Sequence, residues 1–106
     1  MLPSVTNLLS IAPGTEETFS DLLASPSFRL EQIVSNGQAS AQGYWYDQPN
    51  PEWVLLLQGA ATLQFENGTI QLTQGDSCLI PAHSRHRVEF TSTDAIWLAL
   101  HYPSHP

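Results

Sequence analysis

The segment Thr62 to Thr73 constrains the fold of this chain more than any other. Thr62-Leu-Gln-Phe-Glu66 alternates apolar and polar residues, and Thr69-Ile-Gln-Leu-Thr73 alternates back. Between them stands Asn67-Gly68, the pair favoured in two-residue hairpin turns because both positions tolerate a positive φ. A loop made of Asn67-Gly68 pairs Glu66 with Thr69, Phe65 with Ile70 and Leu63 with Leu72. Apolar residues then stand opposite one another on a single face, so turn and register agree. Such a chain builds sheet.

The remaining segments extend this picture. Met1 to Gly14 is apolar but broken by Pro3 and Pro13, and reads as an extended arm lying on the body. Thr15 to Ala24 reads as a short helix, with Thr15 as cap, Glu16 and Glu17 in the first turn, and Phe19, Leu22 and Leu23 on one face. Pro26 ends it. Phe28 to Ser35 reads as a strand with one parity slip, hence a bulge. Asn36-Gly37 turns the chain, Gly43 to Gln48 is aromatic-rich, and Pro49-Asn50-Pro51 forces a loop. Glu52 to Gln58 is a strong strand that places Glu52, Val54 and Leu56 on one face. Ala95 to Tyr102 is the last strand, with Trp97, Ala99 and His101 in one row and Ile96, Leu98 and Leu100 in the other. Either row can face inward. Pro103 to Pro106 is a tail expected to fray. Six or seven short strands punctuated by Gly and Pro indicate an all-β antiparallel barrel or sandwich, preceded by an arm and helix over residues 1–27.

Length and charge narrow the function. A chain of 106 residues holds one core, and 42% hydrophobic residues make it globular. It has no lysine and three arginines, with a net charge of −7, so neither nucleic acid nor anionic lipid is an expected partner. The single cysteine, Cys78, sits in an apolar strand and can form no internal disulfide, which fits a reducing cytoplasm. No apolar run approaches the roughly 18 residues of a membrane span, and the N-terminus lacks the basic region of a secretory signal.

The chemistry concentrates in Gly75 to Phe90. A turn at Gln74-Gly75-Asp76 leads into Cys78, Leu79 and Ile80, Pro81 stops the run, and a polar loop carries His83, Arg85 and His86. Strand parity from His86 onward puts His86, Val88 and Phe90 together, so His86 points into the core at the mouth of the β-structure. There it serves either as a metal ligand or general base, or as a core histidine satisfied by one backbone carbonyl. Glu52 heads an apolar row in the same way. A buried carboxylate needs a partner, and a metal ion or His86 itself would supply one; otherwise Glu52 stays hydrated at the strand end.

These residues resemble those of the small single-domain cupins, members of the RmlC-like jelly-roll β-barrel superfamily. The second cupin motif, G-x5-P-x-G-x2-H-x3-N, maps onto Gly75, Pro81, His83 in place of the glycine, and His86, with Phe90 at the closing asparagine. Of the first motif, G-x5-H-x-H-x3-4-E-x6-G, Glu52 and Gly59 keep their spacing, but both histidines are replaced. Their positions are Tyr46 and Gln48 with a three-residue gap, or Trp45 and Asp47 with a four-residue gap. The resemblance covers roughly Gly43 to Tyr102 within a barrel spanning 28–102. It implies a jelly-roll barrel with Glu52 and His86 facing inward from neighbouring strands. It also implies a divalent metal ion (zinc, nickel, manganese or iron) on Glu52 and His86, completed by Gln48 or Tyr46. A small-molecule pocket would draw on Trp45, Asp47, His83, Arg85 and His101, with Arg85 receiving an anionic group.

Two functions follow from that resemblance. One is a barrel that binds a metal and a small molecule, with a metal-assisted reaction on it. The other is a metal-free barrel that binds or senses a small molecule, or simply dimerises. No nucleophile elbow, phosphate loop or dinucleotide fingerprint offers another chemistry. Tyr44, Trp45, Tyr46 and Trp53 either pack the barrel or line its mouth. Trp53, Leu55 and Leu57 lie opposite Val54 and Leu56, so the strand is apolar on both faces, and a homodimer is the expected cover.

Overall fold

The computed structural model describes residues 1–12 and 14–103, and the expected tail beyond Pro103 lies outside them. Eight strands form: β1 (Thr18–Ser25), β2 (Phe28–Val34), β3 (Glu52–Gln58), β4 (Ala60–Phe65), β5 (Gly68–Thr73), β6 (Ser77–Ile80), β7 (His86–Thr91) and β8 (Ile96–His101). They make two antiparallel sheets, one ordered β1-β2-β8-β3-β6 and the other β5-β4-β7. This is the jelly roll that the sequence resemblance implies.

The helix expected over Thr15 to Ala24 does not form. The segment is strand β1, paired antiparallel with β2, and Pro26-Ser27 is the tight turn that brings Ser25 opposite Phe28. A helix of about ten residues is marginal on its own, whereas pairing with β2 satisfies the same backbone groups. The apolar residues that suggested helical spacing are split by a bulge between Asp21 and Leu23. Phe19 faces Ile33, and Leu23 faces Leu30. The expected parity slip is therefore carried by β1 and not by β2.

The central hairpin forms in a different register from the one expected. Phe65 pairs with Gly68, Leu63 with Ile70, and Ala61 with Leu72, so the turn residues are Glu66 and Asn67. Among the described residues His83 is the one non-glycine with positive φ, so Asn67 lacks the conformation a type I′ turn demands. Gly68 instead adopts φ +150° as the first strand residue. The offset is two residues, and a shift of two preserves the face of every side chain. Leu63 and Leu72 are accordingly both buried.

Alternation places the core. Val54 and Leu56 of β3 point inward with Ala61, Leu63, Leu72, Ile80, Trp97 and Ala99, and Leu56 is fully buried. Trp97 and Ala99 settle the open question for β8: their row, with His101, faces inward. The chain leaves one sheet for the other at Gly59, whose φ is +93°. A Cβ there would collide with the Ser92 hydroxyl and come within 2.9 Å of the Ala95 Cα, so backbone closeness fixes this residue as glycine. In β7 a bulge between Val88 and Phe90 reverses parity. His86 and Val88 face in as expected, but Phe90 turns outward, half exposed, and Thr91 takes the buried place.

Residues 1–12 are largely exposed and are not the uninterrupted extended arm expected, because a turn at Leu8–Leu9 is closed by Ser10 N–H donating to the Asn7 carbonyl. The segment meets the body where Gln32 Nε2 donates to the Leu8 carbonyl at 2.8 Å.

Candidate functional site

Between the two sheets lies a cavity of about 240 Å³, partly open to solvent. Its polar lining comes from inward rows on several strands. Register makes Glu52 of β3 and Arg29 of β2 each a partner of His101 on β8, while Glu31 sits one inward step along, opposite Ala99. Directly paired residues share a face, so these four side chains project into one space.

Their contacts form a chain. Arg29 Nη1 lies 2.9 Å from Glu31 Oε2 and 3.3 Å from Asp21 Oδ1. Glu31 Oε1 is 3.2 Å from His101 Nε2, and the same nitrogen is 3.8 Å from Glu52 Oε2. The last distance allows attraction but not a hydrogen bond. Glu52 is buried, and no hydrogen bond reaches its carboxylate among the described residues. Burial pushes the Glu52 carboxyl above its usual range; the charges of His101 and His86 offset part of that, and Glu31 adds to it.

His86 enters from the other sheet. Its Nδ1 lies 2.8 Å from the Ser84 carbonyl. A carbonyl only accepts, so Nδ1 carries the hydrogen and Nε2 is left to meet a ligand. The core-histidine alternative is thus half realised, since one ring nitrogen is satisfied internally while His86 still lines the cavity. Tyr46 pairs with His86 through two backbone hydrogen bonds of 2.7 and 3.1 Å, which puts both side chains on one face. The rings stack at 5.3 Å between centroids and 22° between planes. Burial raises the Tyr46 phenol.

Tyr46 and Gln48, the three-residue-gap positions, both line the cavity, whereas Trp45 and Asp47 do not. Asp47 instead meets His83, with Oδ1 2.9 Å from Nδ1. Arg85 stands over the Trp45 ring at 5.3 Å, with Nη1 3.7 Å from Glu66 Oε2. Of the residues expected in a pocket, only His101 lines the cavity; Trp45, Asp47, His83 and Arg85 are absent from its lining. His83 occupies the motif's glycine position and has φ +59°, while its N–H donates to the Gln48 carbonyl at 2.7 Å. This left-handed residue clips the 81–85 loop to the segment carrying Gln48.

Sequence reasoning missed Arg29, Glu31 and Glu17. All three line the cavity. No motif marks them. The only signal was parity along β2, where Arg29, Glu31 and Ile33 alternate with Leu30, Gln32 and Val34.

Similarity to known proteins agrees with this architecture. The Cupin domain family matches residues 31–101. A solved structure of a candidate mannose-6-phosphate isomerase from Ralstonia eutropha JMP134 is 38% identical, superposes with a TM-score of 0.90, and aligns over 96% of this chain and 100% of that one. The chain belongs to the Cupin domain family. More distant cupins share the fold. One is a cupin superfamily protein of Desulfitobacterium hafniense DCB-2 (19% identity, TM-score 0.77, 90% and 84% of the two chains). Another is an RmlC-like cupin of Shewanella frigidimarina NCIMB 400 (19%, 0.72, 87% and 80%). No curated protein matches the sequence.

The metal that cupin resemblance implies requires several converging donors. Among the described residues of this cupin, no three His, Cys, Asp or Glu side chains are grouped so as to hold an ion. His101 is already engaged by Glu31, and Tyr46 is stacked on His86 rather than aimed with it at Glu52. The donor set as folded does not fit such a centre. What the arrangement can do is accept and donate hydrogen bonds at Glu52 and at His86 Nε2. Among the described residues no helix is long and apolar enough to cross a membrane.

Proposed function

We propose that this cupin binds a small hydroxylated molecule inside the barrel, held by Glu52 and His86, with Tyr46 and Gln48 completing the contacts. The observation that carries the reading is Glu52: a carboxylate buried at the head of an apolar row, facing a cavity, with no hydrogen bond among the described residues. Among the described residues Arg87 Nε is the one fully buried side-chain polar atom without a hydrogen bond, so the Glu52 oxygens are not sealed off but open onto the cavity, where a bound molecule can reach them. A ligand hydroxyl supplies the missing partner. His86, with Nδ1 tied to a backbone carbonyl, presents Nε2 from the opposite sheet as a second contact and as a proton acceptor. The 38% identical structure named as a candidate mannose-6-phosphate isomerase supports a sugar as the kind of molecule bound. A homodimer is part of the proposal, supported by the apolar row Leu23, Leu30, Leu100, Trp53 and Leu79 on the outer face of the larger sheet.

Thermal denaturation with D-mannose, D-fructose and D-mannitol, after chelator treatment, tests the reading. A ligand at ten times its Kd stabilises the folded chain by about 1.4 kcal/mol, which is several degrees for a domain of this size. That rise is expected without added metal and is expected to vanish in Glu52→Gln. No rise with any of the three would contradict the reading. Zinc, nickel, manganese or iron retained stoichiometrically by the purified protein would instead make Glu52 and His86 metal ligands.

A further inference from the structure

We infer that the barrel is built for an uncharged, hydroxyl-rich ligand such as an unphosphorylated sugar or polyol, and that it discriminates against phosphate esters. This rests on the small-molecule reading above and names the class of molecule.

Phosphate recognition calls for cations with free hydrogen-bonding capacity, most often a guanidinium fork. Arg29 is the one arginine in the cavity lining, and two carboxylates already claim it: Glu31 at 2.9 Å and Asp21 at 3.3 Å. The chain has no lysine. Arg85 lies over the Trp45 ring with Nη1 3.7 Å from Glu66, and Arg87 donates from Nη2 to the Ser40 carbonyl at 3.3 Å while its Nε has no hydrogen-bond partner among the described residues. Neither lines the cavity. Facing the cavity are the carboxylates of Glu17 and Glu31, and the carboxyl of Glu52, whose charged form burial disfavours. A phosphate dianion entering here would lose its hydration and meet like charge in a weakly screened space. The fragment of the neighbour's name that specifies a 6-phosphate therefore has no counterpart in this cavity.

An ammonium ligand fares little better, because the carboxylates are not free. Glu17 accepts from the Ser35 hydroxyl at 2.7 Å, and Glu31 is engaged by Arg29 and His101. Only Glu52 is open, and burial disfavours its charged form. A hydroxyl suits Glu52 in either state, donating to the carboxylate or accepting from the acid. The phenol of Tyr46 and the amide of Gln48 add neutral donors and acceptors.

Affinities measured by NMR titration for D-mannose, D-mannose 6-phosphate and D-glucosamine in its ammonium form test the inference. D-Mannose should bind at least about tenfold more tightly than its 6-phosphate, a gap of about 1.4 kcal/mol, and D-glucosamine should bind no more tightly than D-mannose. Tighter binding of the phosphate or of the amine would overturn the charge discrimination while leaving a ligand-binding barrel. No shift in cavity residues with any of the three would overturn both. In Glu31→Gln, which removes one of the two carboxylates on Arg29, the gap between D-mannose and its 6-phosphate should narrow several-fold. An unchanged gap would show that the neutralised arginine is not what discriminates.

Discussion

Glu52 on β3 and His101 on β8 are direct register partners whose side chains share the inner face, with His101 Nε2 3.8 Å from Glu52 Oε2. The pair is close enough to attract and too long to satisfy the carboxylate. Because burial raises the Glu52 carboxyl, the folded chain keeps that proton to higher pH than the unfolded chain does. Stability linked to Glu52 is thus fully present below the unfolded value of about 4.3 and falls as pH rises through the folded value. Urea denaturation across that range should show the fall, and Glu52→Gln should flatten it and leave the protein more stable than wild type at neutral pH. A variant less stable than wild type there would mean the carboxylate is favourably paired.

The core gives a larger effect. Leu56 has no exposed surface and lies among Val54, Leu63, Trp97 and Ala99 in the buried cluster. Leu56→Ala should cost about 2–5 kcal/mol. Gly59→Ala adds a Cβ against the Ala95 backbone at φ +93° and should cost at least about 2 kcal/mol. Both are measured by chemical denaturation.

The left-handed residue His83 can be isolated by comparing two variants. His83→Ala and His83→Gly both delete the imidazole and its contact with Asp47, and differ only in the Cβ at φ +59°. The left-handed conformation costs a residue with a Cβ about 1–2 kcal/mol, part of which the greater freedom of unfolded glycine takes back. His83→Gly should be the more stable by about 0.5–1 kcal/mol. Equal stability would mean the loop relaxes when the imidazole is lost.

The outer face of the larger sheet predicts the assembly. Cross-strand partners line up Leu23, Leu30, Leu100, Trp53 and Leu79 across all five strands, and Leu23 and Leu79 are more than half exposed. A continuous apolar row of this kind is normally covered. Sedimentation at micromolar concentration should give a dimer, and Leu79→Glu should shift it toward monomer. A wild-type monomer throughout the concentration series would remove the dimer.

The legible part of this fold was the part governed by period two. Glu52 to Gln58 is apolar on both faces from Trp53 to Leu57, so the run marked a strand, and the inward Glu52 was legible from parity taken together with the motif resemblance. Parity failed where a bulge added a residue: Phe90 leaves the inner face and Leu22 breaks β1, and neither position carries Gly or Pro to announce it. The Thr15 to Ala24 segment misled because three apolar residues fall at helical spacing by way of that bulge. Motif spacing located His86 and Glu52, but Glu31 and Arg29 belong to no motif. Only the pairing of β2 with β8 brings them to His101, and that contact joins residues 70 positions apart.

In the proposed function a neutral hydroxylated ligand completes Glu52 inside the barrel. The most direct test follows the carbon-13 resonance of the Glu52 side-chain carboxyl and the ring nitrogens of His86 while D-mannose or another neutral sugar is added to chelator-treated protein. Both signals should move saturably with one shared Kd, while the Arg85 guanidinium and Trp45 indole signals outside the cavity stay fixed. Movement confined to Arg85 and Trp45, with Glu52 and His86 unchanged at saturation, would contradict it.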